Sequence, residues 1–310
     1  MNMKKKILVT TSTFNYEEIK KAFSVDILSN FEFTFNEKGR KITSDELDNF
    51  FKITKFDGII AGLENYSKDF LFKESTIKVI SRVGIGIDNI DISTTDQLGI
   101  RVFNTPDSPT EAVSHLIIGF ILNYTRLISK FNLQMKKNSS EKIEGKSLSM
   151  LTIGFIGMGR IGQHAAKLLI NFNPKKIVYY DPITNIVVYD KVNLQTLYQI
   201  SDIICLTISD KNFKLISSDF SSMIKVPYII NTSRGTNINE KDLIDAIKNQ
   251  KISGAALDVF EKEPNFNFEL SNYDQITLTP HIGSFTKETR LKMEIEAVQN
   301  LVNHFLNYDN

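Results

Sequence analysis

Short apolar runs alternate along this chain with longer segments of helical periodicity, the pattern of parallel sheets whose strands are joined by helical crossovers. Runs at residues 6–10, 31–35, 57–61, 78–83 and 100–103 predict the strands of a first sheet. After Asn104-Thr105-Pro106, an apolar segment from Thr110 to about Met135 predicts one long helix, and the polar stretch 136–146 follows it. A proline-bearing turn before a helix marks a hinge. A second series of runs at 150–156, 176–180, 203–206, 226–231, 254–258 and 276–278 predicts a second sheet. The last segment, 287–306, spaces Leu291, Ile295, Val298, Leu301, Val302 and Phe305 as one helical face. That helix is expected to return to the first sheet, which divides the chain into a discontinuous domain, 1–104 with 286–310, and an inserted domain, 105–285. Both are expected to be α/β with doubly wound parallel sheets.

Composition narrows the function classes. With 42% hydrophobic residues, 22 Phe and 24% charged residues, the chain can bury two ordinary cores. Lys plus Arg (37) almost cancels Asp plus Glu (36), so no net field draws nucleic acid or an anionic membrane, and neither is expected as a partner. The Lys4-Lys5-Lys6 run reads as a solvated strand start. The single cysteine, Cys205, lies inside an apolar run, so it is expected to be buried, and no disulfide can form within the chain. With no secretory signal and no apolar stretch approaching the roughly 18 residues of a membrane span, a cytoplasmic location is expected. His115, His164, His281 and His304 lack metal-ligand spacing, and no metal site is expected.

The chemistry begins at Gly157-Met158-Gly159-Arg160-Ile161-Gly162, which follows the strand at 150–156 and opens a helical segment. A dinucleotide pyrophosphate needs this arrangement: a tight turn at the first glycine, close backbone approach at the second, and close helix packing at the third. Asp181 ends the next strand, 19 residues after Gly162, near the spacing of a carboxylate that binds the adenosine ribose. Downstream, Arg234 follows the strand at 226–231 and so lies at a carboxyl edge, where doubly wound sheets bind ligands. It is either a surface arginine or a planar fork gripping a carboxylate and its neighbouring carbonyl. His281 follows another strand. A lone histidine is more often structural, but a carboxylate within reach turns it into a proton donor. Glu263, restrained by Pro264, and Glu261, unrestrained, are the two acids available in the loop between them.

The ordered motifs Gly157-x-Gly159-x-x-Gly162, Asp181, Asn231-x-Ser233-Arg234-Gly235, Asp258-Val259-Phe260-x-x-Glu263-Pro264 and Pro280-His281-x-Gly283 resemble the D-isomer-specific 2-hydroxyacid dehydrogenases, most of all the D-3-phosphoglycerate dehydrogenase branch. Residues 82–91 and 102–106 extend the resemblance upstream, so that it covers roughly 57–305. It implies a flavodoxin-like substrate domain, a Rossmann NAD-binding domain and NAD as cofactor. In that family pattern His281 would be the acid/base, Glu263 its partner, and Arg234 the grip on the substrate carboxylate. The amides of Gly84 and Ile85 would hold that carboxylate from the first domain, with Arg82 the nearest cation for a substrate phosphate. Gly157, Gly159, Arg160, Ile161, Gly162, Asp181, Thr207, Ser233, Asp258 and Gly283 would line the cofactor.

Three departures stand out. Thr207-Ile208-Ser209-Asp210 replaces the family's usual His-Thr-Pro-Leu, His115 stands where a glutamate is frequent, and Gly62 stands where phosphoglycerate dehydrogenases tend to carry arginine. The resemblance implies a small 2-hydroxy or 2-keto acid substrate, with 3-phosphoglycerate/3-phosphohydroxypyruvate favoured and glyoxylate or hydroxypyruvate as the alternative. It also implies a homodimer formed through the helix from Thr110. The chain ends after the last helix, so feedback through a C-terminal serine-sensing domain is not expected. A dinucleotide-sensing corepressor shares the fold and is the reading from a different class.

Overall fold

The computed structural model describes residues 3–210 and 212–306, which form two compact units, 1–109 with 286–310 and 110–285. The first unit is a five-stranded parallel sheet, β1 (Lys5–Val9), β2 (Phe31–Phe35), β3 (Gly58–Ala61), β4 (Val79–Arg82) and β5 (Arg101–Phe103), in the order β2-β1-β3-β4-β5. The connecting helices are α1 (Tyr16–Ala22), α2 (Val25–Leu28), α3 (Ser44–Ile53), α4 (Lys68–Lys73) and α5 (Ile92–Leu98). Their starts are written in the sequence: Thr43 and Glu46 form a reciprocal capping box at α3, and Ser67 and Asp91 cap α4 and α5. One face of the sheet packs Ile7, Val9, Ile60 and Val79 against Met293, Ala297, Val298, Leu301 and Val302 of the C-terminal helix Lys287–Leu306. The other face packs Leu8, Ile59 and Ile80 against Leu47, Phe51, Phe70 and Leu71 of α3 and α4.

The second unit contains a seven-stranded parallel sheet, with most of its crossovers through α-helices and a loop between the seventh and eighth strands of the chain. Its strands are β6 (Thr152–Ile156), β7 (Lys176–Tyr180), β8 (Asp190–Lys191), β9 (Ile203–Leu206), β10 (Tyr228–Asn231), β11 (Gly254–Leu257) and β12 (Ile276–Leu278). Their order is β12-β11-β10-β9-β6-β7-β8, so strand order reverses between β6 and β9. Its helices are α6 (Thr110–Arg126), α7 (Ile128–Lys136), α8 (Arg160–Ile170), α9 (Leu194–Ile200), α10 (Ser217–Ser221) and α11 (Glu240–Lys248). The central strands are buried on both faces, which explains why they read as unbroken apolar runs. Cys205 is fully buried in β9, and burial pushes its thiol up.

The single helix expected from Thr110 to about Met135 is two helices that meet at a bend of 60°. The chain breaks at Leu127, which takes left-handed backbone angles (φ 55). Asn123 makes the break possible: its Oδ1 accepts from both the amide and the hydroxyl of Ser129, and so supplies the cap that Leu127 cannot. Its Nδ2 donates to Thr277 Oγ1 at 3.1 Å. α6 buries Val113, Ile117, Phe120 and Ile121 in the core, whereas α7 has no buried residue. Among the described residues no single helix is long and apolar enough to cross a membrane, and no group of three His, Cys, Asp or Glu residues could hold a metal ion.

Loss of a helix cap typically costs about 1 kcal/mol. Asn123→Ala is therefore expected to lower the unfolding free energy by roughly that amount, measured by urea titration against wild type. An unchanged midpoint would show that the α6–α7 bend is held by something else.

Candidate active site

The glycine turn lies where strand order reverses, between the carboxyl ends of β6 and β9. Gly157 has φ 96, and a side chain there would meet the Ile208 backbone at 2.6 Å, so both the turn and the close approach require glycine. Thr207, at the position of the first departure, donates its hydroxyl to the Gly157 carbonyl at 2.6 Å, while its amide donates to Ile156. It therefore braces the turn from the neighbouring strand. Gly162 packs under the turn, where a side chain would meet the Gly157 carbonyl at 2.5 Å.

Helix α8 starts at Arg160 with no side chain capping it at Gly159, and the space that a Gly159 side chain would occupy is open. The N-terminus of a helix that its N-cap residue leaves without a side-chain cap, beside open space, makes the cradle that a pyrophosphate requires. Asp181 completes it. Its Oδ2 accepts from Met158 N at 2.7 Å, and its Oδ1 accepts from Ile183 N and Thr184 N at 2.8 and 2.7 Å. Burial pushes this carboxyl up, but the three amides outweigh that and hold it below its ordinary value. A carboxylate offers about four acceptor sites, so a ribose hydroxyl can still be accepted beside the three amides. These residues fit a dinucleotide.

The carboxyl ends of β10, β11 and β12 assemble the second cluster. Asn231 Oδ1 accepts from Ser233 N and Oγ, and Asn231 Nδ2 donates to the Arg234 carbonyl, which fixes the backbone that carries the guanidinium. Ser233, expected near the cofactor, has its hydroxyl engaged in this network and with Asn237 Oδ1 at 3.1 Å. Asn237 is fully buried, and its Nδ2 donates to the carbonyls of Asp210 and Phe213. Arg234 Nη1 donates to the Ser233 carbonyl.

His281 Nδ1 lies 2.7 Å from Glu263 Oε2, and Glu263 Oε1 accepts from Phe260 N at 3.0 Å. Burial pushes the Glu263 carboxyl up, but the His281 contact, the Phe260 amide and the nearby Arg234 charge hold it below the usual carboxylate range. Arg234, Glu263 and His281 are thus within one another's electrostatic reach. Glu261 is directed elsewhere, pairing with Lys214 at 2.6 Å while its amide donates to Glu240. His281 is half exposed and takes left-handed angles (φ 55). Asp258 maintains this conformation: Oδ1 accepts from Thr279 Oγ1 and Ile282 N, and Oδ2 from Gly283 N. Burial raises the Asp258 carboxyl, and those three donors only partly offset it. Asn231 was read from the sequence only as a motif position, and Asn237 and Thr279 were not singled out. Their roles depend on buried hydrogen bonds that residue type alone does not reveal.

In the first unit, the amide of Gly84, one of the two expected to hold a carboxylate, donates to Thr105 Oγ1 at 2.7 Å, and the Gly84 carbonyl accepts from Thr105 N. Gly84 (φ 136) is buried, while Ile85 after it is partly exposed. Arg82 Nη1 donates to the Val83 carbonyl at 2.6 Å and lies against Gly84, where an added Cβ would collide with it. His115 is exposed on α6.

The chain matches, over residues 118–283, the model of the D-isomer specific 2-hydroxyacid dehydrogenase NAD binding domain. It is 34% identical over 281 residues to a hydroxypyruvate reductase of Thermotoga maritima, an alignment covering 86% of this chain and 91% of that one. It is 32% identical over 237 residues to a D-3-phosphoglycerate dehydrogenase of Synechocystis, covering 73% of this chain and 43% of the relative. The crystal structure of an NADPH-dependent glyoxylate/hydroxypyruvate reductase from Sinorhizobium meliloti superimposes with a TM-score of 0.81 at 26% identity, covering 97% of this chain and 94% of that one. The motifs, both sheet topologies and these matches agree: the chain belongs to the D-isomer-specific 2-hydroxyacid dehydrogenases, oxidoreductases that bind NAD and act on the CH–OH group of 2-hydroxy acids.

Proposed function

We propose that the protein is an NAD-dependent reductase of a small 2-keto acid, with hydroxypyruvate or glyoxylate as substrate, and that His281, Glu263 and Arg234 carry the reaction. The observation that carries this reading is the 2.7 Å His281–Glu263 pair, within reach of the Arg234 charge at the carboxyl edge of the sheet that also bears the glycine turn. The hydroxypyruvate reductase aligned along nearly its whole length supports the choice of substrate, whereas less than half of the phosphoglycerate dehydrogenase is matched.

When bound, the nicotinamide supplies or accepts the hydride. His281, with one ring nitrogen held by Glu263, gives its proton from the other nitrogen to the carbonyl oxygen as that oxygen gains charge, and it takes the proton back in oxidation. The Glu263 carboxylate fixes the orientation of the ring through Nδ1. The Arg234 guanidinium binds the substrate carboxylate and polarises the adjoining carbonyl. By the same reading the enzyme is a cytoplasmic homodimer. The exposed apolar side chains Ile128, Leu133 and Met135 on α7 support an interface between copies, and the buried thiol of Cys205 suits a reducing compartment.

His281→Ala is expected to lower kcat for hydroxypyruvate reduction by about 10²–10⁴-fold while NADH binding changes little, as measured by steady-state kinetics and NADH titration. Glu263→Ala should lower kcat for the same reaction while NADH binding changes little, since the ring loses the partner that holds Nδ1 in place. The same loss from Glu261→Ala alone would reverse the assignment.

Asp181 should make NADH the preferred coenzyme, because its charge repels a 2′-phosphate and Pro182-Ile183-Thr184 brings no cation to neutralise one. A kcat/KM for NADPH at or above that for NADH would overturn this.

Asp181 should also leave a pH signature in stability. Its carboxyl lies below the ordinary 3.8 in the folded state, so the ionised form contributes stability above that value, and the contribution is lost as pH falls through the folded-state value. The difference in melting temperature between wild type and Asp181→Asn is therefore expected to be full at neutral pH and to narrow below about pH 4. A difference independent of pH would show that the carboxylate charge is not what braces the turn.

A further inference from the structure

A glycine turn that receives a pyrophosphate must keep its carbonyl oxygens, which carry partial negative charge, from turning toward the phosphates. The peptides 157–158 and 158–159 each adjoin a glycine, whose backbone has the freedom to rotate and bring a carbonyl to where an N–H should be. In this structure all three carbonyls of the turn are engaged by donors of the protein. Gly157 O accepts from Thr207 Oγ1 at 2.6 Å, Met158 O accepts from Gln163 Nε2 at 2.9 Å, and Gly159 O accepts from Gln163 N at 2.9 Å.

The donors come from two elements that are themselves fixed. Thr207 follows β9, and its amide donates to the Ile156 carbonyl of β6 at 2.9 Å. Its hydroxyl lies close to the first turn of α8, where a Cβ at Gly162 would stand 3.0 Å from Oγ1. Gln163 lies one residue further along α8, is partly exposed, and reaches back to the turn with its side chain. The remaining groups of the turn are held as well. Gly157 N donates to the Tyr180 carbonyl at 2.8 Å, Met158 N donates to Asp181, and the Met158 side chain is fully buried in the same apolar cluster as Ile117, Phe155 and Ala165. The peptide 157–158 is thus gripped at both ends, by Thr207 on its carbonyl and by Asp181 on its N–H. Thr207 and Gln163 are neutral, so they hold the carbonyls without adding charge beside the phosphates.

We propose that Thr207 and Gln163 are positioning residues for the dinucleotide: by holding the Gly157 and Met158 carbonyls they keep the turn in its phosphate-accepting form before the coenzyme arrives, and so set the affinity for the pyrophosphate. A turn that also populates a rotated form binds more weakly in proportion to the fraction of molecules that remain competent. Thr207 stands where this chain departs from its family, so the brace is built from a residue of its own. The proposal rests on the NAD-binding site and is independent of which 2-keto acid is reduced.

The experiment measures Kd for NADH by fluorescence titration and for ADP-ribose by calorimetry, using the full chain as wild type, Thr207→Val, Thr207→Ser and Gln163→Met, each checked for a cooperative melt. Thr207→Val keeps the shape of the side chain and removes the donor, and it should raise both Kd values about tenfold, the order of one neutral hydrogen bond. Gln163→Met should do the same. Thr207→Ser keeps the hydroxyl and should bind like wild type. ADP-ribose carries the pyrophosphate without the nicotinamide, so equal losses for the two probes locate the effect at the turn. A loss for NADH alone places it at the nicotinamide end and overturns the proposal. So does a folded Thr207→Val or Gln163→Met protein that binds both probes as tightly as wild type, or a Thr207→Ser protein as weak as Thr207→Val. If Thr207→Val does not fold, Gln163→Met, altered at a partly exposed position, decides the matter. Wild-type protein that binds neither probe rejects the NAD site, and the proposal with it.

Discussion

The carboxylate of Asp258 accepts three hydrogen bonds from a single loop, and the geometry of the candidate proton donor depends on them. Thr279, Ile282 and Gly283 all donate to it, which pins the residues on either side of His281 to the end of β11. Without that anchor, the left-handed backbone at His281 would relax toward conformations that ordinary residues prefer. The ring would then leave Glu263. Asp258 is almost fully buried and its carboxyl is raised by burial, so the loop is held by an acid that is itself costly to ionise. The three donors are what make that burial tolerable. Asp258 therefore fixes where the imidazole stands.

The same logic applies at each point where strand order reverses. In the second unit, the β6–β9 boundary brings the Gly157 carbonyl against the Thr207 hydroxyl, and the turn is rigid because a neighbouring strand supplies the donor. In the first unit, the β1–β3 boundary brings Thr10 against Glu64. Parallel sheets leave a crevice at such boundaries because the two crossovers depart to opposite faces. One crevice is left open beside a helix N-terminus and suits a polyanion. The other is closed by a buried carboxylate and does not. The difference rests on a few side chains upon two similar scaffolds, which is why fold alone does not fix the ligand.

Much of the architecture was legible in the sequence because it is encoded locally. Strands buried on both faces must be apolar throughout, and the glycine turn must place small residues at fixed offsets, so both leave marks within a dozen residues. The break at Leu127 leaves no such mark: apolar periodicity runs on to Met135, and the bend depends on Asn123 capping Ser129 across it. The engagement of the Gly84 amide is hidden for a similar reason. Its commitment to Thr105 links two strand ends 21 residues apart, and nothing in the Gly84-Ile85-Gly86 run shows which amide faces inward. Glu263 could be separated from Glu261 by its proline, yet the pairing of Glu261 with Lys214 needed the fold. Buried polar residues such as Asn237 and Glu64 were the least legible, because an amide or acid in a loop is usually solvated and only packing shows otherwise.

Asp181 ties coenzyme choice to the integrity of the turn. An acid that served only to meet a ribose could be exchanged for a small neutral residue at the expense of selectivity alone. Here the same carboxylate holds the Met158 amide inside the glycine turn and the Ile183 and Thr184 amides of the following loop. Removing it would leave the amide of the fully buried Met158 without its acceptor, a penalty of about 1–3 kcal/mol, whereas the Ile183 amide belongs to an exposed residue that water can reach. The carboxylate proposed to disfavour a 2′-phosphate is thus also what shapes the glycine turn. A change of coenzyme in this scaffold would need a new acceptor for the Met158 amide before any added cation could be of use.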